Sequence, residues 1–347
     1  MDRKWVKDIK EKETVDGLFL VKEKNVSLGK NGRPFVAVLL GDKTGNLDTR
    51  IWEKVDEFAN LLDIGHIVRV KGQVQIFQSR KQMVASKVES VDQNGIDMNE
   101  FLMQTLRDPL EMYAELKSIA LTLYNPHIKQ LVLSVLDDPE IKALLLKAPA
   151  AKTVHHAWIG GLLEHILSIC QIMEFMAKHY SFLNRDLLLF GGIFHDIGKI
   201  WELNVDAGIS YTQRGRLIGH LSMACELIDA KAMRVLGFPN DLKDILKHII
   251  LSHHGRLEYG SPKRPKFLEA LVVAMVDDFD SKVASVLSFI QSERSSSVDL
   301  QNAMGNGGVS PVHSEMWSRY SELYDRNFFL DDLKSHWDDG RLHEGEK

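Results

Sequence analysis

The chain has 347 residues, 44% of them hydrophobic and 26% charged, with a formal net charge of −5. Those figures exclude a disordered, collagenous or membrane-spanning class and leave room for two or three globular domains. Two cysteines, Cys170 and Cys225, are too few for a disulfide framework. The start, "MDRKWVKDIKEKETVDG", has no apolar signal core, so a cytoplasmic location and no membrane partner are expected. The charge is uneven: residues 1–95 carry 17 Lys/Arg against 14 Asp/Glu, and the remainder is acidic. A mildly basic front permits a nucleic-acid partner without demanding one.

Residues 15–91 read as β-structure. "RPFVAVLLGDKTGNLDTRIW" is two β-rich runs around a Gly-containing turn, a hairpin pattern. "KVDEFANLLDIG" has the spacing of a short amphipathic helix, and "HIVRVKGQVQIF" and "KQMVASKVESV" form a second strand pair. Five strands with a helix between the third and fourth give the order of an OB-fold barrel over 1–95. Such a barrel offers a face where cations and aromatics hold single strands. The available set is Arg33, Phe35, Arg50, Trp52, Arg69, Lys71 and Phe77, although Phe35 or Trp52 taken singly suits a core better.

From Asp108 the pattern turns helical, with 96–150 as a helical linker region. "DPLEMYAELKSIALTLY" opens on a capping Asp followed by Pro. "HIKQLVLSVLDD" and "EIKALLLKA" are short and amphipathic. "GGLLEHILSICQIMEFMAKHY" is apolar nearly all round and should be central, and "NRDLLLFGGIFHDIGKI" should be buried beside it. "GRLIGHLSMACELIDAKAMRVL", "NDLKDILKHIILSHHG" and "PKFLEALVVAMVDDFDSKVASVLSFIQ" read as three more helices. Residues 293–311 are Ser/Gly/Asn-rich and read as a loop, followed by a last helix, "VHSEMWSRYSELYDR".

Nine of the 14 histidines lie between His155 and His254. His165, the pair His195–Asp196, His220, the pair His253–His254, and Asp277 with Asp280 sit within or at the ends of apolar helices. A lone buried His is ordinarily a hydrogen-bonded core residue, but so many on five segments outrun private hydrogen bonds. A helical bundle can gather them in its core. Imidazole with carboxylate suits a divalent first-row metal, and the lack of thiolate argues against a structural zinc site. Lys199 reads either as a phosphate contact or as a solvated helix-terminal cation. Arg256, Lys263, Arg264 and Lys266 follow the His pair in a Gly/Pro loop, either gripping phosphates at the rim or simply exposed. His155 and His156, before Gly160–Gly161, flank the site, bind phosphate or open a helix. His179 and His248 read as non-ligands, Asp278 as solvent-facing and Asp280 as a residue that orients a ligand.

"FHDIGK" with the ordered set His165, His195–Asp196, Asp277 resembles the H…HD…D signature of the HD superfamily of metal-dependent phosphohydrolases. "HHAWIGGLLEHIL", "GRLIGH", "LSHHGRLEYGSPKRPKFLEA", "VDDFDSK" and "LGDKTGNLDTRIW" extend this to a resemblance to YhaM-type 3′–5′ exoribonucleases, over most of residues 15–285. The resemblance implies an HD domain over 151–295 and one or two divalent ions, manganese favoured over iron, magnesium or zinc. It places one ion on His165, His195, Asp196 and Asp277, and a second on His220 and His253 with Asp196 bridging. His254 would bind or donate a proton, and Asp196 and Lys199 would act in catalysis. It also implies hydrolysis of single-stranded RNA, with single-stranded DNA as a further substrate, to nucleoside 5′-monophosphates. A homo-oligomer is compatible with it. Two other readings stay open. One is an HD phosphodiesterase of nucleotides or cyclic dinucleotides, disfavoured because "YGSPKRP" stands where a GYP motif would follow. The other is a non-catalytic nucleic-acid-binding protein with a structural metal.

Overall fold

A computed structural model describes residues 4–29, 32–77, 80–152, 158–205, 208–304, 317–318, 320–321 and 323–330. The first five strands are β1 (Thr14–Leu28), β2 (Pro34–Asp42), β3 (Gly45–Ile51), β4 (Ile67–Phe77) and β5 (Arg80–Ser90), with the short helix α1 (Val55–Ala59) between β3 and β4. They close into a barrel in the order β1-β2-β3-β5-β4. All neighbours are antiparallel except β3 and β5, which pair in parallel. This is the OB-fold order the sequence predicts. Alternation fills the barrel: in β4, Val68, Val70 and Val74 are buried while Arg69 and Lys71 between them are exposed. The turn after β2 is tied by Asp42, only 1% exposed, which accepts from Val6 N at 2.7 Å and Thr44 N at 2.7 Å.

The polar segment after β5 is more than a tether. Phe101 and Leu102 pack with Leu20 and Ile67 of the barrel, and Gln104 bridges Ile159. The helices then follow as α2 (Pro109–Leu121), α3 (Pro126–Leu136), α4 (Pro139–Leu145), α5 (Gly161–His179), α6 (Arg185–Phe194) and α7 (Lys199–Glu202). The first three begin alike: Asp108, Asn125 and Asp138 each accept from a backbone N–H of the first turn, with Pro next. A two-stranded hairpin, β6 (Leu203–Asn204) and β7 (Ser210–Tyr211), leads to α8 (Gln213–Leu217), α9 (His220–Ala232), α10 (Asn240–Ser252) and α11 (Leu268–Met304).

α6 is the centre of the bundle. Leu188, Leu189, Phe190, Ile193 and Phe194 are fully buried against α5, α10 and α11, each contributing roughly 1.5–3 kcal/mol. No helix among the described residues is long and apolar enough to cross a membrane.

Three sequence expectations change. "GRLIGHLSMACELIDAKAMRVL" is not one helix: Gly219, at φ 79 and ψ 156, separates α8 from α9 and leaves His220 as the first residue of α9. The stretch from 293 is helical as far as Met304, because "ERSSSVDLQNAM" contains no Gly or Pro to stop α11. In the expected last helix, the described residues instead form antiparallel bridges, Trp317 with Phe329 and Ser321 with Arg326, around a turn at 323–325. His155 and His156 lie outside the described residues.

Candidate metal centre

Helix α6 carries its apolar face to Phe194 and ends with His195 as its C-cap. In the turn that follows, the missing side chain of Gly198 permits a close backbone approach. A Cβ there would lie 2.1 Å from the carbonyl oxygen of His220, so α7 and the start of α9 meet backbone to backbone. The contact brings two distant parts of the chain to Asp196.

Two groups of donor atoms result. His165, His195, Asp196 and Asp277 offer atoms within 4.8 Å of one another, and so do His220, His253 and His254. In the first group His165 Nε2 lies 3.2 Å from His195 Nε2 and 3.3 Å from Asp277 Oδ1. His195 Nε2 lies 3.5 Å from Asp196 Oδ2 and 3.6 Å from Asp277 Oδ1. Asp196 joins the groups, since its other oxygen, Oδ1, is 3.6 Å from both His220 Nε2 and His253 Nε2.

The imidazoles are oriented from behind. His165 Nδ1 meets Asp280 Oδ2 at 2.8 Å, and Ser168 donates to the other Asp280 oxygen. His195 Nδ1 faces the carbonyls of Gly191 and Gly192 at 3.2 and 3.1 Å, and His253 Nδ1 faces that of Ile250 at 2.8 Å. His220 Nδ1 sits 3.0 Å from each oxygen of Glu202. Carbonyls and carboxylates only accept, so in all four rings Nδ1 carries a proton and Nε2 faces inward. Outer hydrogen bonds that fix a tautomer in this way are the usual companions of metal-ligating histidine.

The two carboxylates stay ionised. Burial alone would raise the Asp196 carboxyl, but the Lys199 ammonium, with the imidazoles around it, outweighs burial and holds the group well below the usual carboxylate range. Asp277 is likewise held low against burial by His195 and His165. Burial pushes His195 down to about 4, and it drives His254 to about 4 with help from His253 and His220. For His165, burial is overcome by its bonds to Asp277 and Asp280, and the ring rises to about 9.

These residues fit a cation. Asp196 Oδ1, His220 Nε2, His253 Nε2 and His254 Nδ1 are buried with no hydrogen-bond partner among the described residues. Burying such atoms unpartnered costs about 1–3 kcal/mol each, more for a charged one. A shared cation would meet them together.

The remaining predicted residues are placed as follows. Lys199 is not a solvated cation: it is 13% exposed and donates to Asp196 Oδ2 at 2.6 Å. Asp280 stands behind His165, while Asp278 is exposed and paired with Lys282. His248 accepts from Lys266 N, and His179 is exposed between Phe175 and Tyr180; neither belongs to a donor group. Arg256, Lys263 and Arg264 are exposed just beyond His254, Arg256 over the Tyr259 ring and Arg264 beside Glu258. On the barrel, Phe35 stacks on Trp52 at 4.6 Å with Arg50 5.9 Å from the Phe35 ring. Arg33 is exposed and just precedes β2. Arg69 and Lys71 are elsewhere, on β4, which neighbours β1 and β5 but neither β2 nor β3. Arg69 is engaged by Asp16 at 2.8 Å. Phe77, also on β4, is 52% exposed.

Sequence reasoning missed Glu202 and Ser168. Glu202 stands three residues after Lys199, and the only signal was a buried position for a carboxylate in "GKIWEL".

Known proteins resemble the chain in sequence. A family described as the HD domain matches residues 162–282, and one described as an OB-fold nucleic acid binding domain matches residues 5–91. The HD match implies dependence on a divalent metal. The 3′–5′ exoribonuclease YhaM of Shouchella clausii (strain KSM-K16) is 34% identical over 272 residues, covering 78% of this chain and 84% of the relative. The protein of that name from Bacillus subtilis (strain 168) is 33% identical over 273 residues, 78% of this chain and 86% of the relative. Identity at this level across both domains, with the HD donors converging, means that the chain belongs to the YhaM 3′–5′ exoribonuclease family.

Proposed function

We propose that the protein is a metal-dependent 3′–5′ exoribonuclease that hydrolyses single-stranded RNA to nucleoside 5′-monophosphates. The observation that carries this reading is Asp196, whose two oxygens face two different sets of histidines at the core of an HD domain joined to an OB-fold barrel. The strand is held by the barrel and cut in the bundle.

His165, His195, Asp196 and Asp277 would hold one divalent ion, and His220, His253 and His254 a second, with Asp196 shared. When bound, such ions supply Lewis-acid stabilisation of phosphoryl charge and activation of the attacking water. This nitrogen and oxygen set suits a divalent first-row metal, and manganese is the one the family resemblance favours. His254 is neutral at pH 7 because burial keeps it so, which suits a lone-pair donor better than a proton donor. Lys199 stays charged against burial through Asp196, and its role is to hold Asp196 Oδ2 in place and to balance anionic charge as the phosphate arrives. Arg256, Lys263 and Arg264, exposed in the segment that follows the His pair, would grip backbone phosphates. Phe35, Trp52 and Arg50 form a platform on which a base can stack. A cytoplasmic location fits an RNA substrate.

The test is purified protein with manganese and a 5′-labelled RNA. A ladder shortening from the 3′ end, abolished by chelator and by Asp196→Asn, supports the reading. RNA retarded but uncut under all metals refutes it, as does cleavage confined to mononucleotides or cyclic dinucleotides. The same assay with labelled DNA settles the sugar preference.

A further inference from the structure

Asp196 divides the donors unequally. The first group comes from α5, α6 and α11, whose cores are packed together. His165 and His195 there are fully buried. In the second group, His253 sits at the end of α10, but His220 opens α9 immediately after a glycine with a positive φ. A helix's first residue has no preceding turn to fix it, so the direction of the His220 ring must come from elsewhere.

It comes from Glu202. The Glu202 carboxylate accepts from the backbone N–H of His220 at 3.1 Å and from its Nδ1–H at 3.0 Å. It thus fixes both the helix start and the ring with one side chain. Glu202 is itself anchored: its carbonyl accepts from Thr212 N at 2.9 Å. Thr212 in turn caps α8 through Gly215 N and donates its hydroxyl to Trp201 O. Glu202 is 8% exposed, so the pair with His220 is shielded from water and strong. The result is a bare, inward-facing His220 Nε2 without a hydrogen-bond partner among the described residues.

We infer that Glu202 is the positioning residue of the second ion: through His220 it sets the affinity of that ion alone and leaves the first ion to the tetrad on α5, α6 and α11. The inference rests on the two-ion reading proposed above. Without Glu202 the His220 ring loses its only described Nδ1 acceptor, the other tautomer becomes accessible, and Nε2 no longer points at Asp196 Oδ1. The first group loses nothing, because none of its four members bonds to Glu202 among the described contacts.

The experiment is manganese binding to the intact, metal-stripped chain, followed by the free-ion electron paramagnetic resonance signal and by equilibrium dialysis. The comparison is wild type, Glu202→Ala, Glu202→Gln and His220→Ala. Wild type should bind two ions per chain. Glu202→Ala should keep the tighter ion and weaken the other by roughly 10–100-fold, the usual cost of losing an outer partner of a ligand. Glu202→Gln keeps the shape and one acceptor oxygen, so its second ion should bind between the wild-type and Ala values, which a merely structural role would not produce. Retention of the tight ion shows that the variants are folded. If wild type binds two ions and His220→Ala one, yet Glu202→Ala and Glu202→Gln both bind two as the wild type does, the inference is overturned. Loss of both ions in Glu202→Gln also overturns it. If wild type binds fewer than two, or His220→Ala still binds two, the two-ion reading itself fails.

Discussion

Trp52→Ala should weaken RNA binding far more than it weakens the fold. The indole is 46% exposed, and its ring lies 4.6 Å from that of Phe35 at an interplanar angle of 28°, so one broad aromatic surface faces solvent. Stacking one base on such a surface is worth about 1–3 kcal/mol, so the Kd for a short single-stranded RNA should rise about 5- to 150-fold. Arg69→Ala is the comparison, because Arg69 lies on β4, away from this platform, and already spends its charge on Asp16. Anisotropy of a fluorescein-labelled RNA, measured in chelator so that nothing is cut, gives both values. The salt slope separates the mechanisms further. Trp52 carries no charge, so its removal leaves the slope of log K against log salt unchanged. Arg50→Ala should reduce it by about 0.7 if the guanidinium meets one phosphate. An Arg69→Ala loss equal to or greater than that of Trp52→Ala would refute the placement of the strand on β2 and β3.

Gly198→Ala puts a Cβ 2.1 Å from the His220 carbonyl oxygen, with backbone on both sides and no side chain able to swing away. Denaturant unfolding should show about 1–3 kcal/mol of lost stability, together with weaker binding of the second ion; an unchanged midpoint would mean that α7 and α9 do not meet there. Lys231 donates to Asp138 at 2.8 Å and holds that carboxyl below its usual range. A depressed folded pKa adds stability that is present above the unfolded value near pH 3.9 and is lost as pH falls through the folded one. Lys231→Met should therefore cost about 1.5–3 kcal/mol at pH 7 and progressively less toward pH 2; parallel stability curves for the two proteins would rule the linkage out. Asp280→Ala removes the Nδ1 acceptor of His165, and tight-ion affinity measured by competition with a chelating dye should fall roughly 10–100-fold.

The sequence by itself determined the order of the elements and the identity of most donors. Alternation in "HIVRVKGQVQIF" and the helical spacing around "FHDIGK" report local burial, because each residue's neighbours in a strand or helix turn are set by fixed geometry. That is why the succession of barrel strands along the chain and the buried character of His165, His195 and Asp196 were legible, with the resemblance supplying their common purpose. Only the tertiary structure decided how the donors are aimed. Asp280 meets His165 across 115 positions of chain and Glu202 meets His220 across 18, and nothing periodic connects such pairs. The break at Gly219 was hidden for a related reason: an apolar pattern continues through "GRLIGHLSMACEL", and what stops the helix is the backbone path that carries His220 to Glu202. On the barrel, alternation placed the cations outward but could not say that β4 lies away from the β2–β3 pair, since that follows from closure of the barrel through the parallel pairing of β3 with β5.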